Sequence, residues 1–181
     1  MYTYISILRG INVSGQKIIK MEELRKLYEG LDFTKVRTYI QSGNVIFEHT
    51  LKDLKYLEMQ IEEQILQKLG FQVPVMVKEI NDLKNIVKEN PFSDFKEEGL
   101  SKLHVTFLGG KPDQIYIDKI KEREYDPDQF IIIGKAVYLF CPNGYGQTKL
   151  TNNFFENKLK VKATTRNWRT VNELIRVAEA G

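Results

Sequence analysis

The chain has 181 residues, of which 42% are hydrophobic, and a formal net charge of +3. This apolar content is enough for a packed core, and the mild basicity permits phosphate-bearing partners without requiring them. No apolar run reaches the roughly twenty residues of a membrane span, and the N-terminus lacks the layout of a secretory signal. We therefore expect a cytoplasmic protein without a membrane segment. The single cysteine, Cys141, is expected to be a buried strand residue in a reducing compartment.

The first half of the chain shows the order strand, helix, strand, strand, helix, strand. The predicted strands cover residues 3–8, 36–40, 45–47 and 73–77, and the predicted helices cover residues 22–28 and 51–69. Ser42, Gly43 and Asn44 join the two middle strands as a hairpin, because glycine and asparagine accept positive φ angles. Thr50 with Asp53 resembles a capping box at the start of the second helix.

The second half repeats this order after a predicted helix at residues 80–88 and a polar connector. Its predicted strands cover residues 103–108, 130–133, 136–140 and 163–167, and its helices follow Pro112-Asp113 and cover residues 152–159. Thr170 and Glu173 then predict a cap for a final helix that runs to Ala178. The repeated order is that of the ferredoxin-like sandwich, in which two helices cover one face of a four-stranded antiparallel sheet.

The predicted fold class is therefore α+β, with two tandem ferredoxin-like βαββαβ sandwiches and an extra C-terminal helix. The first unit is predicted at residues 1–79 and a helical and polar connector at residues 80–101. The second unit, with the C-terminal helix, is predicted at residues 102–181. The two copies match in the order of their elements and not in residue identity.

Four short polar segments, at residues 9–12, 41–44, 148–152 and 164–168, are rich in amide and guanidinium donors and poor in carboxylates. Such groups bind anions more readily than they break bonds. The candidate ligand-binding residues in these four polar segments are Arg9, Asn12, Gln41, Ser42, Asn44, Lys149, Asn152, Arg166 and Asn167.

The predicted topology determines which of these segments meet. In the first unit, the loop after the first strand and the hairpin at residues 41–44 emerge at the same end of the sheet, because the first two strands run in the same direction. In the second unit, residues 144–152 and the end of the last strand share the opposite end, because strands three and four both run back. We therefore expect the four polar segments to meet as two pairs.

The individual side chains carry different weight. Arg9 is expected either to clamp an anion or to form a salt bridge with Glu22 or Glu23. Asn12 and Asn44 stand in turns, where asparagine usually bonds its own backbone. Gln41 has no turn-forming role, so it is the better candidate for a ligand contact.

In the second unit, Lys149 precedes a helix that begins near Asn152, and Arg166 lies close to the same sheet end. A helix N-terminus with two cations predicts a phosphate site. The segment from Gly144 to Lys149 lacks the spacing of a P-loop.

The sequence predicts no catalytic residue, no cofactor and no metal site, and it leaves open whether the protein is an enzyme. His49 and His104 have no partner at metal-ligand spacing, and Ser42 is not in a nucleophile elbow.

Two other functions remain open. A protein-interaction or oligomerisation module is suggested by alternation that places Ile46, Leu108, Val137 and Leu139 on open sheet faces. A nucleic-acid-binding protein is the other, although the third strand lacks the aromatic signature of RNA-recognition domains.

The strings LRGINV at residues 8–13, TYIQSGNV at residues 38–45, TKLTN at residues 148–152 and ATTRNW at residues 163–168 resemble the hallmark strings of the bacterial family DUF1697. This resemblance implies a two-part α+β fold of ferredoxin-like character, no known activity and a shared ligand site at the nine candidate residues. The usual opening of the family is LRGINVGG, whereas this chain has Ser14 at the first of those last two glycines.

Overall fold

The computed structural model describes residues 1–181, and of Glu97 only the backbone. The chain forms two compact units. Unit 1 comprises Met1–Asn85 together with Glu173–Gly181, and unit 2 comprises Ile86–Asn172. None of the helices in the described residues is long and apolar enough to cross a membrane.

Unit 1 contains a four-stranded sheet covered by two helices. Its elements are β1 (Tyr2–Leu8), α1 (Met21–Glu29), β2 (Thr34–Tyr39), β3 (Asn44–His49), α2 (Leu54–Leu69) and β4 (Val75–Glu79). The strand order is β2-β3-β1-β4, and every neighbouring pair is antiparallel. This is the ferredoxin-like order that the sequence predicts.

The core of unit 1 lies between the sheet and the two helices. Tyr4 and Phe47 meet across β1 and β3 with their ring centroids 5.5 Å apart, and Tyr28 of α1 packs edge-on against Phe47. The Tyr28 hydroxyl is buried and shares a 2.6 Å hydrogen bond with Ser6. Because a buried hydroxyl without a partner is costly, this bond allows tyrosine to occupy a core position.

Unit 2 repeats the arrangement. Its elements are the end of α3 (Ile80–Lys88), α4 (Glu97–Leu100), β5 (Leu103–Leu108), α5 (Gln114–Lys121), β6 (Gln129–Ile133), β7 (Ala136–Phe140), a short 3-10 turn (Tyr145–Gln147), α6 (Asn152–Leu159), β8 (Ala163–Asn167) and the beginning of α7 (Trp168–Glu179). The strand order is β6-β7-β5-β8, again antiparallel throughout. The duplicated α+β fold is thereby confirmed.

The core of unit 2 corrects one sequence-based expectation. Leu108, Val137 and Leu139 were expected on an open sheet face, but they pack with Ile117 of α5 and Phe155 of α6. Alternation separates the two faces of a strand without saying which one meets the helices, and here both faces are apolar. In unit 1, Ile46 does lie on the face opposite the helices, since its neighbours Val45 and Phe47 belong to the helix-side core.

The connector before β5 packs on the sheet of unit 2. Phe92 and Phe95 contact the ring of Phe140 at centroid distances of 6.3 and 4.7 Å. The Tyr138 hydroxyl donates a 2.9 Å hydrogen bond to the carbonyl of Ile86. Segment 86–95 therefore covers part of the sheet face that α5 and α6 leave open.

The end of α7 groups with unit 1, whereas the sequence places the whole C-terminal helix with the second unit. The Arg37 guanidinium on β2 donates hydrogen bonds to the carbonyls of Val177 and Ala178. Lys84 also pairs with Glu179 at 2.7 Å. These contacts join residues far apart in sequence, so no local pattern indicates them.

Candidate functional site

The first two polar segments meet at one end of the sheet of unit 1, as the topology predicts. The Leu8 amide donates a 2.8 Å hydrogen bond to the Gly43 carbonyl. The Asn12 side-chain amide donates a 2.8 Å hydrogen bond to the Gln41 carbonyl, 29 residues further along the chain. The loop after β1 and the β2–β3 hairpin are thus connected directly.

The two asparagines of this end support the backbone. Asn12 Nδ2 also donates to the Ile19 carbonyl at 3.0 Å, and Asn12 Oδ1 accepts from the Ile19 amide at 2.8 Å. Asn44 is fully buried, and its Nδ2 donates to the Tyr39 carbonyl at 3.1 Å and to Ser42 Oγ at 2.9 Å. Because both donors of each amide are engaged, we assign Asn12, Asn44 and Ser42 to the construction of the loops.

Arg9 and Gln41 are the two predicted ligand contacts of this end that we do not assign to the construction of the loops. Arg9 is half-buried and follows β1, and its backbone amide donates to the Pro74 carbonyl at 3.0 Å. Gln41 is exposed, and its side-chain amide forms no hydrogen bond with the described residues. Glu22, one of the two carboxylates considered for Arg9, pairs instead with Lys26 at 2.9 Å, and that hydrogen bond lowers the pKa of Glu22.

The loop after β1 contains a feature that the sequence analysis missed. Val13 and Gln16 form an isolated antiparallel bridge around Ser14 and Gly15, whose φ angles are 51° and 73°. Positive φ at both central residues is the mark of a type I′ hairpin turn. The Ser14-Gly15 dipeptide between two bridge residues was the available signal.

Ile40 is the least expected residue of this end. It has a φ of 51°, although β-branched residues avoid the left-handed region, and the residue is 48% exposed. Backbone conformations of this kind cluster at binding sites and tight loops, where the surrounding structure maintains them.

The other two polar segments meet in unit 2. Thr165 Oγ1 of β8 donates a 2.6 Å hydrogen bond to Asn152 Oδ1 at the start of α6. Thr106 of β5 lies 2.7 Å from the same Thr165 hydroxyl, so it is the donor of that bond. This chain of three side chains connects the helix start to the sheet, and the second predicted pairing is confirmed.

Arg166 is the charged side chain at this end with the most constrained surroundings. Its Nη1 donates a 2.9 Å hydrogen bond to the Thr165 carbonyl. Burial lowers the pKa of Arg166 to about 10, while attraction to Tyr145 acts in the opposite direction. The guanidinium therefore remains a cation at neutral pH although it has lost much of its water.

Tyr145 and His104 form an aromatic pair at the same end of the sheet. Their ring centroids are 5.0 Å apart and the planes differ by 27°. Burial lowers the pKa of His104, so its imidazole is neutral at neutral pH. Tyr145 was not among the predicted site residues, because a lone tyrosine in a glycine-rich loop gives no functional signal.

The remaining predicted residues of unit 2 have simpler roles. Lys149 is exposed and forms no ion pair within the described residues. Asn167 Oδ1 accepts a 2.7 Å hydrogen bond from the Thr170 amide, so it helps to cap α7.

Cys141 is a free buried thiol. Burial is the main cause that raises the pKa of this thiol to about 11, and the nearby Asp128 adds to it. Within the part of the chain that the structure describes, no group of His, Cys, Asp and Glu could hold a metal ion.

With the fold and these two sheet ends established, comparison with known proteins identifies the family. Residues 1–138 match the model of the family described as "Protein of unknown function (DUF1697)". The chain belongs to this family. The match ends before the third and fourth polar segments, so the roles of Lys149, Asn152, Arg166 and Asn167 rest on the structure of unit 2 alone.

A solved structure shows the same fold as this DUF1697 protein. The "conserved bacterial protein SP0830 from Streptococcus pneumoniae" is 20% identical in sequence, and the alignment covers 98% of each chain with a TM-score of 0.77. At 20% identity, the similarity shows a shared fold and nothing more. A comparison with curated proteins gave no match.

Proposed function

We propose that this protein is a cytoplasmic bacterial protein that binds a small anionic ligand, of the phosphorylated class to which nucleotides belong. The proposal concerns binding and includes no reaction, cofactor or metal. Its cytoplasmic part is supported by the free buried Cys141, which suits a reducing compartment.

Arg166 carries the proposal. It is a partly desolvated cation at a sheet end that also holds Lys149 and the N-terminus of α6. Burying a charge is costly, and shifted pKa values are more frequent at functional sites than elsewhere in a protein. A guanidinium can form two parallel hydrogen bonds with a phosphate or carboxylate, and the low local dielectric strengthens that attraction.

Arg9 and Gln41 support a similar proposal for unit 1. The exposed Gln41 amide offers both a donor and an acceptor, and the Arg9 guanidinium is a cation of the kind that binds phosphate and carboxylate. The hydrogen bonds of Asn12 and Asn44 hold the loops that present these two side chains. A loop held in this way needs little reorganisation when a ligand arrives.

A thermal-shift screen against nucleotides, sugar phosphates and carboxylate metabolites tests the proposal. A ligand that binds only the native state raises the melting temperature. At a concentration one hundred times the Kd, it increases the free energy of unfolding by about 2.7 kcal/mol. We expect at least one phosphorylated compound to give a shift that Arg166→Ala abolishes and Lys149→Ala reduces.

Lys111→Ala is the matched control for Lys149→Ala, because Lys111 is also an exposed lysine of unit 2 without an ion pair in the described residues. It should leave the shift unchanged. The proposal of an anion site here is wrong if no anion of the panel stabilises the protein. It is also wrong if Lys111→Ala and Lys149→Ala reduce the melting-temperature shift equally. Arg9→Ala applies the same test to unit 1.

A second candidate function, a protein-interaction module, is favoured by the loops of unit 1. Val13, Ile18 and Ile40 are 58%, 67% and 48% exposed, and they lie in the two loops that Asn12 connects. Exposed apolar side chains gathered at one end of a unit are typical of contact surfaces. Light scattering over a range of concentrations should then give a rising mass, which Ile18→Ser lowers.

Ile115→Ser provides the comparison, since Ile115 is 60% exposed but lies on α5 of unit 2. A protein that remains strictly monomeric, or one whose association Ile115→Ser weakens as strongly, would contradict an interaction surface at these loops.

A further inference from the structure

A cavity of about 440 Å³ lies in unit 2, lined by residues of α5, of α6 and of the segments that follow them. Its charged lining consists of Lys119, Arg123, Lys158 and Lys160, against a single acid, Glu122. This volume is within the range of sites that hold small molecules.

The four cations of this groove are not neutralised within unit 2. None of them has a hydrogen bond or an ion pair from its side chain to the described residues. Like charges that line one cavity repel each other and destabilise the compact state. Asp118 of α5 accepts a 2.7 Å hydrogen bond from Gln114 and is not part of the lining. A groove with this unbalanced charge attracts anions.

Two tyrosines give the same groove an aromatic surface. Tyr116 and Tyr125 are both half-buried and both line the cavity. Tyr125 is held by edge-on contacts with Phe130 and Phe154, each at a centroid distance of 5.5 Å. A ring fixed in this way can stack on a planar group at little cost in conformational entropy.

We propose that the groove between α5 and α6 binds nucleotides, with the four cations contacting phosphate and the tyrosines stacking on the base. Phosphate next to a flat aromatic ring is the chemistry that matches both parts of the lining, and a free nucleotide and a single-stranded nucleic acid share it. The proposal goes beyond the function above, because this groove includes the C-terminal end of α6, whereas Lys149 precedes that helix and Asn152 begins it.

The test measures fluorescence anisotropy of a labelled single-stranded RNA of about eight nucleotides, with the full chain, at low and at moderate salt. ADP and ribose 5-phosphate serve as unlabelled competitors. The test variant is K158E/K160E, and the matched control is K111E/K135E, which makes the same change in charge at two other exposed lysines of unit 2.

We expect K158E/K160E to weaken binding about tenfold or more and K111E/K135E to weaken it no more than about twofold. The dependence of the affinity on salt should become shallower in K158E/K160E, because fewer counterions are released. ADP should compete better than ribose 5-phosphate, because it has a base to stack and one phosphate more. Tyr116→Leu should reduce that difference to the part that the second phosphate contributes. If K158E/K160E does not fold, K158Q/K160N replaces it; Lys160 has a φ of 59°, which asparagine accepts.

The outcomes also separate the two sources of the ligand. If the Kd of ADP is close to the Kd of the RNA strand, the natural ligand is a free nucleotide. If the Kd of the strand is at least tenfold lower than that of ADP, the natural ligand is a nucleic acid. The proposal is overturned if neither ligand binds at about 1 mM, the weak end of the usual affinity range. It is equally overturned if the test and control variants lose affinity by the same factor. In that case, the separate proposal of an anion site at the sheet end would still hold if Arg166→Ala abolishes the thermal shift.

Discussion

Gly43 shows how one residue holds the end of the unit 1 sheet together. It has a φ of 79°, and a Cβ at this position would lie 2.6 Å from Ile11 Cδ1 and 2.8 Å from Leu8 Cβ. Its carbonyl also accepts the Leu8 amide. The loop after β1 approaches the hairpin this closely because glycine has no side chain.

We expect Gly43→Ala to lower the free energy of unfolding by about 3 kcal/mol, since it combines left-handed strain with an overpacked contact. Urea denaturation followed by circular dichroism measures the change. Gly10→Ala is the control, because Gly10 has a φ of 73° but a Cβ there meets nothing within 4 Å. It should cost only the backbone strain, about 1–2 kcal/mol. Equal losses in the two variants would show that the close contact contributes nothing.

The amide side chains show which residue-scale roles can be read from sequence. Asn12, Asn44 and Gln41 all stand in polar segments, and the preference of asparagine for backbone bonding in turns is confirmed at Asn12 and Asn44. Their actual partners, such as the Gln41 carbonyl for Asn12, come from a different loop. Residue type therefore indicates the role, and the fold supplies the partner.

At the scale of elements, the helix starts show how local chemistry is used. Asp53 is the N-cap of α2, and its carboxylate accepts a 3.1 Å hydrogen bond from the Tyr56 amide. The helix accordingly begins at Leu54, three residues later than the sequence pattern suggests. Similarly, α7 begins at Trp168 with Asn167 bonding the Thr170 amide, instead of being capped by Thr170.

We predict that Asp53→Ala lowers the free energy of unfolding by about 1 kcal/mol, the usual value of an N-cap bond. Thermal or chemical denaturation measures it. Asp113→Ala is a close control, because Asp113 is the N-cap of α5 yet forms no side-chain capping bond. Its substitution should cost less than half as much. A larger loss at Asp113 than at Asp53 would contradict the capping argument.

On the scale of the molecule, residues 173–181 join a unit that begins at the other end of the chain. Arg37 of β2 is the clearest connection, with its guanidinium donating to two carbonyls of the last turn of α7. Charged donors near a helix C-terminus also interact favourably with the helix dipole. The C-terminal segment therefore contributes to the stability of unit 1.

Arg37→Ala should destabilise the protein by about 2 kcal/mol, because it leaves carbonyls without their charged donor. Deletion of residues 173–181 should have a larger effect in the same direction. Arg25→Ala is the control, since the Arg25 side chain is about half exposed and pairs with Glu29 at 3.7 Å. An exposed pair of this kind contributes about 0.3–0.5 kcal/mol. Equal melting temperatures for Arg37→Ala and Arg25→Ala would show that the hydrogen bonds from Arg37 to α7 do not stabilise the protein.

The sequence by itself determined the order of the elements, the duplicated fold and the pairing of the polar segments. Hydrophobic periodicity and turn residues are local signals, and a βαββαβ order leaves one antiparallel arrangement in which those loops meet. The tertiary structure alone decided that Leu108 and Val137 lie on the helix-covered face of their sheet, and that the Asn12 amide bonds the backbone of another loop. It also decided that residues 173–181 pack with unit 1 and that Lys119 and Lys158 line one groove. These features depend on contacts between distant residues, and no spacing along the chain records them.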